Sequence, residues 1–285
     1  MNDTLPALPR QADTEAQVVA MWLHGRPVRT QALYSDAYRR FAAHVGKPLE
    51  RVTVGDLQSY ADIFADRKPR TRALHVSALK SLLTFAQRVG FLRVNVGAVV
   101  RPPKIAGDLS QRILPEEDVQ RMLHLEPKPR NRVLLDLLYY GGLRVGEVVA
   151  LRWQDVQVRE DGGQVTVTGK GGKTRSVRLY SGAWRRLVAL RGEALAATPV
   201  VASRKGDRSI SAVQVHRIVR AAARRAGIEA NVSPHWLRHA HASHALDRGA
   251  PAHLVRDTLG HANVSTTSAY AHARPDQSSS RYLAS

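Results

Sequence analysis

The stretch from Arg101 to Ser110 constrains the fold of this chain more than any other. It opens Arg-Pro-Pro-Lys, adds Gly107, and shows little apolar periodicity. Prolines remove backbone donors and fix φ, so no continuous helix or sheet strand passes through it. The 285-residue chain is therefore expected to fold as two bodies, residues 12–100 and 111–285, joined by a linker at 101–110. Each is long enough to bury its own core. Both halves carry the same sign of charge. Residues 1–107 hold 16 basic and 8 acidic side chains, and residues 108–285 hold 27 and 16, giving +19 in all. Such an excess repels itself and is useful only beside a polyanion, here approached from two sides. An apolar content of 44% excludes a basic disordered tail. No run approaches the roughly eighteen apolar residues of a membrane span. The first twenty residues carry acids and prolines rather than a basic, then apolar, leader. Cysteine is absent, which excludes disulfides, thiolate metal sites and cysteine nucleophiles. A cytoplasmic, nucleoid-associated protein that binds nucleic acid is expected, with no membrane partner.

The first body reads as four helices, at residues 15–23, 29–44, 54–65 and 71–88, each with apolar positions three or four apart. Pro27, Gly46-Lys47-Pro48 and Lys68-Pro69 punctuate them, and Thr53 with Asp56 resembles a capping box. Arg70, Arg72 and Lys80 sit at the start and on a further turn of the fourth helix. They are candidate phosphate contacts, or equally a solvated basic helix end. The second body is mixed. Pro115-Glu-Glu-Asp118 opens a helix with acids in its first turn, and Asn131 to Tyr140 is an apolar, buried helix ending at Gly141-Gly142. Residues 165–168 and 175–179 alternate as two strands around a glycine-rich turn at 169–173. Helices follow at 182–197, 211–226, 234–247 and 251–259, with a short segment at 264–272. The fold class is mainly α with a small antiparallel β-sheet.

Four local patterns carry chemistry. Gly142-Leu-Arg144-Val-Gly-Glu147 places an arginine between glycines that permit close backbone approach, which suits an anion. It also suits an ordinary capping arginine paired with Glu147. The turn Gly169-Lys170-Gly-Gly-Lys173 has the wrong spacing for a Walker A loop. Its lysines, followed by Arg175, either reach toward nucleic acid or are simply solvated. Ser233-Pro-His235-Trp-Leu-Arg238-His239 puts His235 and Arg238 on one face of a helix that starts at Pro234. His235 and His239 at i and i+4 raise zinc, but no nearby carboxylate or cysteine completes a set, so no metal is expected. His239, His241 and His244 read as packing or surface residues. Finally, Leu259-Gly260-His261 is followed nine residues later by Tyr270.

Taken in this order, the patterns resemble the tyrosine recombinase family, the phage-type integrases, and most closely its Xer-like members. The resemblance covers nearly the whole chain. It implies an N-terminal four-helix core-binding (SAM-like) domain and a C-terminal mixed α/β catalytic domain. One departure stands out: the family commonly has Ser-Phe-Ala-Thr-His after the HxxRH motif, and this chain has Ala240-His241-Ala-Ser-His244.

The resemblance implies site-specific recombination of double-stranded DNA through a 3′-phosphotyrosine and a Holliday junction, in integration, excision or dimer resolution. It makes Tyr270 the nucleophile, Arg144 and Arg238 the clamps on the non-bridging oxygens, and His261 a further donor to them. Lys170 becomes the proton donor to the leaving oxygen, and His235 assists proton transfer at the tyrosine. Glu147 becomes a partner of Arg144. Neither metal nor ATP nor any other cofactor is implied. Arg70, Arg72, Lys80, Lys173, Arg175, Arg217, Arg220 and Arg224 are the expected DNA contacts. A homo- or hetero-tetramer on DNA is implied; in the family the tail after the tyrosine often docks on a neighbour, and here fifteen residues follow Tyr270, which leaves open whether they do so. A topoisomerase IB-like relaxing enzyme shares the cleavage chemistry, and a DNA binder with a vestigial site lies outside it. An RNA-binding module lacks a stacking platform, with aromatics at 6%.

Overall fold

The computed structural model describes residues 11–102, 112–169, 172–204 and 208–260. The chain divides into two compact units, Met1–Gly107 and Asp108–Ser285.

The first unit contains α1 (Glu15–Leu23), α2 (Val28–Val45), α3 (Val54–Asp62) and α4 (Pro69–Arg88). Two capping boxes fix helix starts, Thr14 with Gln17 on α1 and Thr53 with Asp56 on α3. Helix α4 begins two residues earlier than its periodicity predicts, because Pro69 occupies the first turn, where its missing N–H is no loss. Helix α3 is three residues shorter than predicted and ends at Asp62. Trp22, Phe41, Tyr60, Leu79, Leu82 and Leu83 are fully buried between the four helices. The Tyr60 hydroxyl donates to the Ala37 carbonyl at 3.0 Å and lies 3.1 Å from His75 Nδ1, so the buried polar atoms are satisfied.

The second unit is built around α6 (Pro129–Tyr139), which is buried on nearly all sides. Helix α5 (Glu116–His124) precedes it, with Glu116, Glu117 and Asp118 in its first turn. The short α7 (Val145–Ala150) follows, then an antiparallel sheet ordered β1 (Val156–Arg159), β2 (Gly162–Thr168) and β3 (Thr174–Tyr180). Two strands were predicted and three are present among the described residues. β1 alternates over only four residues and leaves Val158 exposed, too little pattern to read. Val165, Val167, Val177 and Leu179 point inward from β2 and β3. Trp184 of α8 (Ser181–Arg191) lies against Gly163, where any side chain would collide with the indole ring. Helix α8 stops six residues short of the predicted end at 197. Residues 196–198 run beside 152–154 instead, with Gln154 N–H donating to the Ala196 carbonyl at 2.8 Å and Trp153 N–H to that of Thr198 at 3.1 Å. Helices α9 (Ala212–Arg225), α10 (Pro234–Asp247) and α11 (Ala252–Leu259) complete the unit. The segment predicted at 264–272 lies outside the described residues. No helix among the described residues is long and apolar enough to cross a membrane.

Candidate active site

Helix α6 ends at a reversal made by Gly141 and Gly142. Gly142 has φ +57°, and a Cβ there would stand 2.7 Å from Leu259 Cδ2 and 3.1 Å from the His241 ring. Only glycine allows α6 to turn this close to α10 and α11. The turn delivers Arg144, in extended conformation, to the N-terminus of α7, with Glu147 one turn on. Glu147 accepts the Arg144 backbone N–H at 2.8 Å and its Nη1 at 2.9 Å. The carboxylate is buried, its side chain 4% exposed, and two further bonds reach it from Arg175 on β3, at 2.7 and 2.9 Å. Burial by itself would raise the Glu147 carboxyl. The Arg175 hydrogen bonds, the Arg144 N–H, the Arg175 charge and the bond from the Arg144 guanidinium outweigh it and hold the group at about 2.

The C-terminal end of α11 is the second component. The last turn of a helix leaves carbonyls without partners inside the helix and carries the negative end of its dipole. Three arginines take three consecutive ones. Arg175 Nε donates to the Thr258 carbonyl at 2.7 Å, Arg238 Nη2 to that of Leu259 at 2.6 Å, and Arg144 Nη2 to that of Gly260 at 3.0 Å. Arg238 also donates through Nη1 to the Gly142 carbonyl, and the residue is buried. Arg144 and Arg238, 94 residues apart in the sequence, thus end on adjacent carbonyls. Arg144 keeps about a third of its side chain exposed.

On α10, His235 is exposed and its ring stacks beside that of His239, with planes inclined by 26° and centroids 5.9 Å apart. Burial, then the charges of His235 and Arg238, push His239 down to about 4. The unusual histidines have a structural account. His241 Nδ1 lies 2.7 Å from the Tyr139 carbonyl, and burial lowers this ring to about 4. His244 bridges the Tyr139 hydroxyl at 2.9 Å and the Leu114 carbonyl at 3.0 Å. Both anchor α10 to the C-terminal turn of α6, directly before the glycine reversal. Among the described residues, no three His, Asp or Glu side chains are grouped to hold a metal.

The other sequence-predicted residues divide into two sets. Arg217, Arg220 and Arg224 line the exposed face of α9, whose opposite face buries Val215, Ile218, Val219, Ala222 and Ala223. Arg70 and Lys173 are also exposed. Three of the expected phosphate contacts have partners within the chain. Lys80 Nζ donates to the carbonyls of Ala98 and Val100, and Arg72 pairs with Asp62 at 2.8 Å. Arg175 is the largest departure: its side chain is 13% exposed and its bonds run to Glu147 and Thr258. Its only sequence signal was a position on the strand after the lysine turn. Lys170, His261 and Tyr270 lie outside the described residues. Gly169, next to Lys170, does approach the cluster: a Cβ there would sit 3.5 Å from Glu147 Oε1 and 3.8 Å from Arg144 Nη1.

The phage integrase family model matches residues 112–277 of the chain, a span that includes Arg144, Arg175 and Arg238. The chain belongs to the phage integrase family of tyrosine recombinases. Among curated family members, it is 32% identical to tyrosine recombinase XerC of Pelobacter propionicus, over 87% of this chain and 86% of that one. It is 34% identical to tyrosine recombinase XerD of Pseudomonas aeruginosa, over 88% and 81%. The fold is shared with solved family structures. XerH recombinase bound to a palindromic difH substrate is 19% identical, covering 92% of this chain and 82% of that one, with a TM-score of 0.72. A lambda integrase dimer bound to a core site is 18% identical, covering 93% and 98%, with a TM-score of 0.71.

Proposed function

We propose that this protein is a site-specific DNA recombinase that cuts and rejoins strands through a covalent tyrosine link. The observation that carries the reading is the convergence of Arg144 and Arg238 on the Leu259 and Gly260 carbonyls, immediately before His261. Two guanidinium forks fixed side by side suit one phosphate with two non-bridging oxygens.

In this reading Tyr270 attacks the phosphorus of a DNA phosphodiester through its phenolic oxygen, with His235 assisting removal of the proton. The bond to the 5′ oxygen breaks, Lys170 protonates that oxygen, and a 3′-phosphotyrosine remains. Negative charge builds on the non-bridging oxygens of the pentacoordinate phosphorus. Arg144 and Arg238 meet it with charge already in place, which lowers the barrier without reorganisation at the moment of reaction. His261 donates to the same oxygens. The ester energy is kept in the protein–DNA bond, so a 5′-hydroxyl from a partner duplex reverses the step with no ATP. Exchange needs paired duplexes, and the relatives' solved assemblies include a lambda integrase tetramer on a Holliday junction. A homo- or hetero-tetramer on paired sites in the cytoplasm, at the nucleoid, is the matching assembly. Arg70, Lys173, Arg217, Arg220 and Arg224 contact backbone phosphates from the protein surface.

The test is incubation with duplexes selected by binding, nicked so that the cleaved strand is lost and covalent adducts accumulate. Wild type is expected to form adducts with or without EDTA. Tyr270→Phe is expected to form none while binding the same DNA. Adducts from the Phe variant overturn the nucleophile assignment. Relaxation of supercoiled DNA without exchange between paired sites points to a topoisomerase instead.

A further inference from the structure

Arg175 has no part in the cleavage chemistry just described, yet it donates three hydrogen bonds within the cluster that holds Arg144 and Arg238. Its Nη1 and Nη2 are spent on the two oxygens of Glu147, and its Nε on the Thr258 carbonyl. Its guanidinium is thus held on both edges, by the Glu147 carboxylate and by the end of α11. The same side chain explains a glycine. Gly260 adopts φ +62° at the end of α11, and a Cβ there would lie 3.0 Å from Arg175 Cδ and 3.2 Å from Nε. The guanidinium stem of Arg175 therefore crosses directly over Gly260, the residue before His261. Through Glu147 it reaches Arg144, and Gly169, the residue before Lys170, adjoins that same carboxylate.

We propose that Arg175 is a positioning residue for strand cleavage: it fixes Glu147 from the side opposite Arg144 and grips the last turn of α11, so that Arg144 and Arg238 meet the phosphate as one rigid pair. The inference rests on the recombinase reading above. Without Arg175, the Glu147 carboxylate would be held only by the two bonds from Arg144, the residue it has to orient. Arg175 braces it with two bonds and is itself braced by a helix end. Bidentate contact to Glu147 combined with a third bond elsewhere is a task for a planar fork, which lysine lacks.

The test uses the full-length protein and the nicked duplex. Single-turnover adduct formation is followed at saturating DNA for wild type, Arg175→Gln and Arg175→Lys, with DNA affinity measured in parallel across a salt series. Positioning predicts that the rate constant falls by roughly ten- to a hundredfold, as sub-ångström misplacement of reacting groups does. Affinity and its salt slope stay within about twofold of wild type, since no phosphate contact is lost. Arg175→Lys keeps the charge beside Glu147 but not the fork, and is expected to recover only part of the rate. It also supplies the measurement if the Gln variant fails to fold. A structural role alone would reduce the amplitude of adduct formation and leave the rate constant of the folded fraction unchanged, and that result overturns the proposal. So does weaker DNA binding with a normal rate at saturation, which would make Arg175 a phosphate contact. Absence of adduct with wild type overturns the recombinase reading itself, whereas active wild type with an unaffected Arg175→Gln overturns this inference alone.

Discussion

Replacing Glu147 by glutamine removes one oxygen's charge and leaves the shape almost unchanged, so the effect isolates the carboxylate. In the folded chain that group is held at about 2 against an ordinary 4.5. A tenfold change in proton affinity is about 1.4 kcal/mol, so the ionised form contributes about 3 kcal/mol to folding at neutral pH. The contribution is fully present above pH 4.5 and is lost as pH falls toward about 2, because the unfolded chain takes up the proton first. At pH 3, between those limits, about half remains. Glu147→Gln should therefore be about 3 kcal/mol less stable than wild type near pH 7, with the gap narrowing to about 1.5 kcal/mol at pH 3. Urea unfolding followed by tryptophan fluorescence is the assay, and three of the four tryptophans, Trp153, Trp184 and Trp236, lie in this unit. Other carboxylates titrate over the same range, but they are common to both proteins and cancel in the difference. A gap that stays constant from pH 7 to pH 3, or one below about 1 kcal/mol at pH 7, refutes the account of Glu147 as a charge shared by two guanidiniums.

Gly142→Ala places a Cβ against Leu259 and His241 at a positive φ. The strain of about 1–3 kcal/mol should lower the melting temperature by roughly 3–10 °C, and an unchanged melting curve contradicts the close-approach argument. Replacing Arg217, Arg220 and Arg224 together by alanine should reduce the slope of log affinity against log salt by about 2.7, at about 0.9 per phosphate contact. A parallel line with unchanged slope would remove α9 from the DNA interface. Burial holds His241 and His239 at about 4 against 6.5, so both favour folding above pH 6.5 and withdraw that contribution as pH falls toward 4. His241→Gln should flatten the stability–pH curve in that window by its own share, and an equally steep curve in the variant assigns the loss to other groups.

The ordered motifs were legible in the sequence because each is a local pattern: a glycine reversal, a helix with His235 and Arg238 three apart, a helix end at Gly260. The helices of the first unit were legible for the same reason, from apolar spacing and the Thr53 cap. What periodicity could not carry was contact across distance. Arg175 reads as one more cation on a strand after a lysine turn, and nothing nearby in sequence reveals Glu147 or Thr258 as its partners. Lys80 likewise reads as a surface base until the carbonyls of Ala98 and Val100 are found on it. The end of α8 was misplaced because residues 196–198 serve as backbone partners for residues 152–154, a tertiary demand that overrides helix propensity. His241, out of place by the family's pattern, fits once the Tyr139 carbonyl is seen as its partner.

The large arginine excess also takes on a different meaning. Three buried carboxylates of the second unit are each answered by arginines: Glu126 by Arg225, Asp136 by Arg132 and Arg186, and Glu147 by Arg144 and Arg175. A buried charge is costly unless paired and hydrogen-bonded on several sides, and a fork satisfies two acceptors where an ammonium rarely does. Net charge therefore overstates how many cations face DNA, since part of the basic content is interior scaffolding. The distinction has a consequence for affinity. Phosphate contacts of the kind proposed for α9 weaken with salt, whereas the Arg175–Glu147–Arg144 chain, largely shielded from solvent, is screened far less. Raising ionic strength should release the protein from DNA long before it loosens the geometry in which Arg144 and Arg238 are held.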